Sequence, residues 1–439
     1  MSAEATDLRA RRDDAPASDS AAERVYLEAV WSNLPRNYVA HLLHGLLGQT
    51  GFRLINAPTF IPAYLFLISG SEFVVGLARG LQYFGMFLSP LLGATSIEHR
   101  RRVLPVGFVV GSVMRLQVLG IALAGLFLPG SWNLVAVCVL LGLFGFFMGM
   151  QGVIFGFLMS KLIPVERRGF LSGLRNLLAG LTAAAVAYVA GPYLIDPNLL
   201  GNGYAVTFLV AFVLTSLGLA MLLFVREPEP PSLREPSNLV DRLRELPELL
   251  RSDRAFTIYF LARALATMGR MSLPFCVLYA GSHIELSGGN LGVLTTVFLL
   301  SQTSTSLLWG WIADRTGFRL IFLVSLSIWA LSVLLLMQST ELLTLAIVFA
   351  GIGAGQGGFM LSGRNLVLEF GAREDLPMRI AVANSASELV GAIGPILGGL
   401  LVAAISYDAV FWTGIVFQLA AIAVVLVYVD EPRHRRPAV

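Results

Sequence analysis

Gly310-Trp311-Ile312-Ala313-Asp314-Arg315-Thr316-Gly317-Phe318-Arg319 is the stretch whose reading decides the fold. It joins one apolar run, ending near Trp309, to another that begins at Phe318. So short a link leaves room only for a tight reversal, which Gly310 and Gly317 permit because glycine tolerates positive φ. Asp314 suits the start of the following helix or the positive N-terminus of another, and Arg315 and Arg319 can hold that anion or a membrane surface. An ordinary charged turn between two membrane helices would use the same residue types, so the weight rests on the whole string.

Composition agrees with a membrane reading. The 439 residues are 56% hydrophobic and 13% charged, with a mean hydropathy of +0.74. Burial on that scale needs lipid as the solvent and excludes an ordinary soluble domain. Residues 1–36 are polar and mixed in charge, and no basic-then-apolar leader with a small-residue cleavage site is read there. Cys138 and Cys276 stand alone in apolar runs and imply neither a disulfide framework nor a metal site.

Apolar runs long enough to span fall at about 37–67, 73–94, 103–128, 132–160, 169–194 and 204–225. A second set falls at about 255–280, 287–312, 318–337, 342–370, 378–404 and 408–429, which makes twelve. With both termini on one side, 24 of the 31 Lys and Arg residues lie on that side, seven lie inside spans, and the opposite loops hold none. The positive-inside rule makes that side the cytoplasm. Residues 226–254 form the one polar linker of any size, opening Pro-rich and continuing with leucines at helical spacing, as an amphipathic helix on the inner membrane surface would.

The halves repeat. Gln151-Gly152 recurs as Gln356-Gly357, Gly191-Pro192 as Gly394-Pro395, and Glu227-Pro228 as Glu431-Pro432, at offsets of 205, 203 and 204. Near-constant spacing argues for two homologous six-helix bundles, 37–225 and 255–429, flanked by tails 1–36 and 430–439.

The 310–319 string resembles the loop signature of the major facilitator superfamily: glycine, three residues, Asp-Arg, one residue, glycine, any or a basic residue, then a basic residue. The resemblance extends over nearly the whole chain. It implies an all-α membrane protein of twelve transmembrane helices in two pseudo-symmetric bundles, with the solute held between them near the bilayer midplane. A degenerate copy, Gly93 to Arg102, keeps the glycine, Glu98 and the cluster Arg100, Arg101 and Arg102. In the family such loops latch the bundles, so Asp314 would meet the inner end of the fifth span near residues 168–172, and Glu98 that of the eleventh.

An ionisable side chain inside a span is costly and marks a pathway or a partner. Seven arginines qualify: Arg53, Arg79, Arg115, Arg175, Arg263, Arg270 and Arg364. Arg175 and Arg364 lie near the inner ends and suit structural or gating work, while Arg115 sits mid-span in the third helix and suits packing. Arg53 and Arg270 each follow a glycine and precede a proline, in the first helix of each half. They read as symmetry mates that either converge on an anionic solute or cap carbonyls freed near Pro58 and Pro274. The pair resembles the arginine pair of organophosphate/phosphate antiporters in the superfamily. Arg263, seven residues before Arg270, would line the inner half of the path, and Gln49, Asn56, Gln151 and Gln356 would line the cavity or bond between helices.

Glu388 is the clearest intramembrane acid, fit to carry a coupling proton or to pair with Arg364 or Arg175. The run Gly391 to Gly399, with Gly394-Pro395, resembles the glycine–proline motif that superfamily antiporters carry in the fifth helix. Here the fifth helix has only Gly191-Pro192, and Met148 stands where drug/proton antiporters carry an arginine. His41 and His44 share a helix face without an acid or thiol nearby and do not make a metal site.

The expected function is secondary transport of a small solute, anionic on the arginine reading, by alternating access, with a proton or counter-solute as coupling partner. An exporter of amphipathic drug-like compounds and a non-transporting sensor or assembly factor are the alternatives. No nucleotide loop, nucleophile–base pair or metal cluster is visible, so neither an enzyme nor a cofactor is expected. The partners expected are the solute and the lipid bilayer, with no nucleic acid. The protein is expected as a monomer in the plasma membrane, the inner membrane of a bacterium.

Overall fold

The computed structural model describes residues 17–230, 254–369 and 376–429. Glu431-Pro432 and most of the linker expected as an amphipathic helix lie outside those residues, as does the side chain of Arg364.

The chain is a set of membrane-length helices, numbered α1 to α12. The first half comprises α1 (Leu34–Asn56 continued by Phe60–Ser69), α2 (Glu72–Thr95), α3 (Leu104–Phe127), α4 (Gly130–Leu162), α5 (Val165–Ala190) and α6 (Gly203–Met221). The second comprises α7 (Arg254–Gly269 continued by Leu273–Gly281), α8 (Gly288–Thr316), α9 (Phe318–Leu336), α10 (Leu342–Asn365), α11 (Leu376–Ala404) and α12 (Tyr407–Tyr428). Ten helical segments are long and apolar enough to cross a membrane. The charged α2 and the broken α7 complete the twelve.

Proline writes the two breaks. Pro58 has no N–H to give the preceding turn, and α1 opens at Ala57 before restarting at Phe60. In α7 the turn Arg270–Ser272 tightens ahead of Pro274. Three helices start on side-chain caps: Asn202 accepts from Ala205 N at 3.1 Å, Ser287 from Asn290 N at 3.2 Å, and Ser406 from Ala409 N at 3.2 Å.

The deciding stretch folds differently from its reading in one respect. Gly310 stays helical, and α8 runs unbroken to Thr316. The reversal falls on Gly317 alone, at φ 86°, where its N–H caps Ala313 O at 2.8 Å. A glycine tolerates a helix interior, but only a residue free of Cβ strain takes the left-handed cap. The polar tail also holds more order than expected. Ala17–Ser32 is a helix, with Val30 buried and Tyr26 Oη donating to Lys161 O at 3.0 Å.

At the arginine-rich end, hereafter the basic end, Glu227 ties three helices together. Its carboxylate accepts from Val103 N at 2.8 Å and Leu104 N at 2.9 Å, capping α3, and pairs with Lys161 of α4 at 2.7 Å. Both side chains of that ion pair are only 4% exposed. An acid at a helix N-terminus meets orphan N–H groups and the positive end of the dipole together.

Two seams join the halves, α2 against α11 and α5 against α8, and both close the end opposite the basic one. Gly76 and Gly80 of α2 lie so near Pro395 O and Ala392 O that a Cβ would overlap them, and Gly399 of α11 packs on the Phe73 backbone. Gly191 and Gly288 approach each other in the same way across the second seam. At that far end Asp196 spans the halves: Oδ1 accepts from Gly288 N at 2.5 Å and Oδ2 from Gly289 N at 2.9 Å, at the N-terminus of α8. Glu72 Oε1 accepts from Tyr407 Oη at 2.9 Å across the other seam. Toward the basic end the neighbours fall away. A Cβ at Gly152 or Gly156 of α4, Gly169 or Gly173 of α5, or Gly310 of α8 would meet nothing within 4 Å. Among the described residues, the closest backbone approaches between the halves lie toward the far end.

Candidate functional site

The candidate site lies where α1, α2, α5, α7, α8 and α11 converge on the basic-end side of the closed seams. Arg53 marks its ceiling on one side. Its Nη1 donates to Thr303 Oγ1 of α8 at 2.8 Å, and its Nη2 donates to Asn176 Oδ1 of α5 at 2.6 Å. The guanidinium therefore bridges the two halves.

The carbonyl freed at the α1 break takes its hydrogen bond from a different arginine. Arg79 Nη2 donates to Ala57 O at 2.9 Å, and Arg79 Nη1 donates to Gln82 Oε1 at 2.8 Å. Gln82 Nε2 passes the chain on to Asn56 Oδ1 at 2.8 Å. Arg79 is buried, so this network satisfies a cation inside the bundle with neutral acceptors only.

Arg270 meets another environment. Its guanidinium carbon lies 4.9 Å from the Phe359 ring centre and 5.5 Å from that of Trp329. Its Nε is buried without a partner, and among the described residues it donates no hydrogen bond. Tyr83 of α2, Glu388 of α11 and Arg263 act on it electrostatically. The Tyr83 ring reaches across to within 3.5 Å of the Cβ position of Gly391, at the foot of the α2–α11 seam. Arg263 Nη2 donates to Asn384 Oδ1 at 2.9 Å. The structure thus gathers Arg270, Arg263, Glu388, Asn384 and Tyr83 on one flank, and Arg53, Asn176 and Thr303 on the other.

The remaining candidates are dispersed. Gln151 is turned into the first bundle, where its Oε1 accepts from Arg115 Nη1 at 3.2 Å. Arg115 Nε donates to Thr215 O of α6 at 2.6 Å, which is helix-to-helix packing. Gln356 is buried with its Oε1 unpartnered, and Gln49 is half-buried. Asn56 Nδ2 donates to Phe52 O at 2.8 Å, beside the α1 break. Of the loop residues, Asp314 is exposed, while Arg315 lies over the Trp311 ring at 3.8 Å. Arg168, near the segment Asp314 would latch, donates instead to Ile163 O at 2.6 Å and to Ser160 O. Glu98 is half-buried, and Arg100 Nε donates to Ser96 O at 2.9 Å. Arg175 lies deep in the first bundle against Gly45 and Met159.

Several residues of this site were not singled out from the sequence: Arg79 as the cap, Asn176, Thr303, Tyr83, Phe359 and Trp329. One signal was available. Ser301, Gln302, Thr303, Ser304, Thr305 and Ser306 form an unbroken polar run inside an apolar span, a pattern that marks a helix facing water or another polar group.

The comparisons with known proteins follow the fold. A family profile described as Major Facilitator Superfamily matches residues 45–275 and 259–439. The chain is 27% identical over 373 residues to a multi-drug resistance efflux pump, the PmrA homolog of Lactococcus lactis, covering 80% of this chain and 84% of the relative. It is 25% identical over 400 residues to multidrug resistance protein MdtG of Salmonella arizonae, covering 87% and 93%. Among solved structures it resembles the nucleoside transporter NupG, with a TM-score of 0.69, 12% identity, and 90% and 99% coverage. A D-xylose–proton symporter superposes with a TM-score of 0.67 at 16% identity, covering 91% and 98%.

Proposed function

The chain belongs to the major facilitator superfamily, and from that premise we propose that it exports amphipathic organic anions from the basic, cytoplasmic side. A small solute is what such a transporter moves, by exposing one site alternately to either face. The observation that carries the finer reading is Arg270, a guanidinium between two aromatic rings that donates to no described acceptor. An aromatic wall receives an apolar body, and an unspent fork of N–H donors receives a carboxylate, sulfonate or phosphate. Arginines outnumber acids around the site, which opposes lipophilic cations. The relatives named as multidrug pumps support the amphipathic part of the reading and export as its direction.

Arg53 serves in this reading as the sensor between the halves. A solute anion that drew its guanidinium away from Thr303 would loosen a bond between α1 and α8, and so between the halves. Glu388, which acts electrostatically on Arg270, serves in this reading as the group that exchanges a proton against the solute charge.

The test is thermal stability of the purified chain with a panel of amphipathic anions, amphipathic cations, nucleosides and sugars, for wild type and Arg270→Gln. A ligand at a hundred times its Kd adds about 2.7 kcal/mol. Stabilisation by the anions alone, lost in the variant, is the expected result. Stabilisation by cations, or an unchanged response in Arg270→Gln, removes the anion reading.

A further inference from the structure

A second cationic cluster lies inside the first bundle, nearer the basic end, and the transport reading does not use it. Arg175 of α5 crosses α1 at Gly45, where a Cβ would overlap its Nε and press on its Cδ and Cγ at 2.7 Å. Its Nη1 donates only to the Met159 sulfur of α4, at 3.4 Å, and its Nε is buried without a partner. Two histidines flank the crossing. His44 is committed: its Nδ1 lies 2.9 Å from Gly218 O, and its ring stands edge-on to Phe155 at 5.0 Å. His41 is 1% exposed, and neither of its ring nitrogens has a partner. Arg175 is the charge that acts most strongly on both rings, and no carboxylate is among the groups that act on any of the three.

The chemistry of that arrangement is one-sided. A neutral imidazole always offers one N–H, and a guanidinium offers five, so the pocket presents donors to a space without a negative charge. Leu158, Leu162 and Leu171 form the neighbouring apolar cluster, and a thioether is a weak acceptor. A buried cation keeps its charge only where something compensates it. The helix also accepts a glycine at 45, which costs stability in a helix interior, in the one place that lets the guanidinium through. Two unfavourable features adopted together indicate a built feature.

We propose that Arg175 and His41 form a binding site for a small inorganic anion of halide size, held inside the first bundle and separate from the solute site. Gly45 and Met159 are what the Arg175 side chain touches, and a monatomic anion is the smallest ligand that two N–H donors can share. A halide accepts from several N–H donors in any direction, which suits two donors on different helices. Bound there, the anion would tie α1 to α5 within one rigid bundle.

The experiment uses the full-length chain purified in detergent in gluconate buffer, with sodium chloride added at constant ionic strength and melting followed. Wild type should gain thermal stability saturably with chloride, by several degrees. Arg175→Gln and His41→Phe should each raise the half-saturating chloride concentration at least tenfold. His41→Phe keeps a buried ring, so it answers the question if Arg175→Gln fails to fold. Arg270→Gln should keep the chloride response while losing that to amphipathic anions, which separates this site from the solute site. A wild type indifferent to chloride overturns the proposal, as does a response that His41→Phe leaves intact.

Discussion

Three arginines of the first bundle meet surroundings opposite to those of Arg270 in the second. In the first, Arg53, Arg79 and Arg115 each end on oxygen acceptors at 2.6 to 3.2 Å, spread over several helices. In the second, Arg270 lies over two aromatic rings and donates to no described acceptor. The first arrangement spends the donors on holding helices together, and the second leaves them for something that arrives. Pseudo-symmetry in the sequence therefore does not carry over to side-chain employment, because which way a side chain leaves its helix depends on a rotation of a few tens of degrees.

The largest expected effect breaks that comparison at Arg79. Arg79→Leu leaves Ala57 O and Gln82 Oε1 buried without their donor, at about 1–3 kcal/mol each. The melting temperature should drop by several degrees, whereas Arg270→Gln without ligand should melt near wild type. Equal losses in both variants would erase the distinction between structural and receptive arginines.

Next comes the far-end closure. Asp196→Ala removes two hydrogen bonds to the N-terminus of α8, and because the acid is exposed we expect a cost of about 1 kcal/mol. That should raise the far-end-open population roughly fivefold. Spin labels at Leu200 and His283, exposed on far-end loops of opposite halves, would report it as a longer distance component. No change in the distance distribution would mean the glycine seams alone hold that end.

A smaller effect sharpens the role of Arg53. Thr303→Val removes the acceptor across the seam while keeping shape, at roughly 1 kcal/mol. Solute affinity should fall little, and the rate of exchange between faces should rise. Vesicle efflux measured against equilibrium binding separates the two, and a large loss of affinity would make Thr303 a solute contact instead. Smallest of all is Asp314→Asn, which should change melting by no more than about 0.5 kcal/mol because the acid is exposed.

Much of the fold could be read from the chain. Span lengths, the basic loops and the repeated Gln-Gly, Gly-Pro and Glu-Pro landmarks are covalent patterns, and lipid enforces them through backbone hydrogen bonding. Gly310 and Gly317 show the limit: both are glycines in one short string, and only the position of the last helical hydrogen bond decides which one turns. The site was legible in its residue types and not in its pairings. Arg53, Arg270, Arg263 and Glu388 stand out as charges in lipid, yet that Arg79 rather than Arg53 serves Ala57 O depends on how α2 lies against the α1 break. For Gln151 the sequence left cavity lining and bonding between helices open, and Arg115 of α3 takes it for the second.

The glycines of the α2–α11 seam have a mechanical consequence. Gly76 and Gly399 put backbone against backbone, while Gly80 is the notch that receives the Ile396 side chain of α11. A keyed joint moves in jumps, one helical turn at a time, because each knob must climb out before the next hole receives it. A joint of bare backbone has no such detents. With bare backbone at Gly76 and Gly399 and one knob at Gly80, this seam carries a single detent, and the other steps of a rocking motion must be imposed by the charged and hydroxyl contacts at its ends.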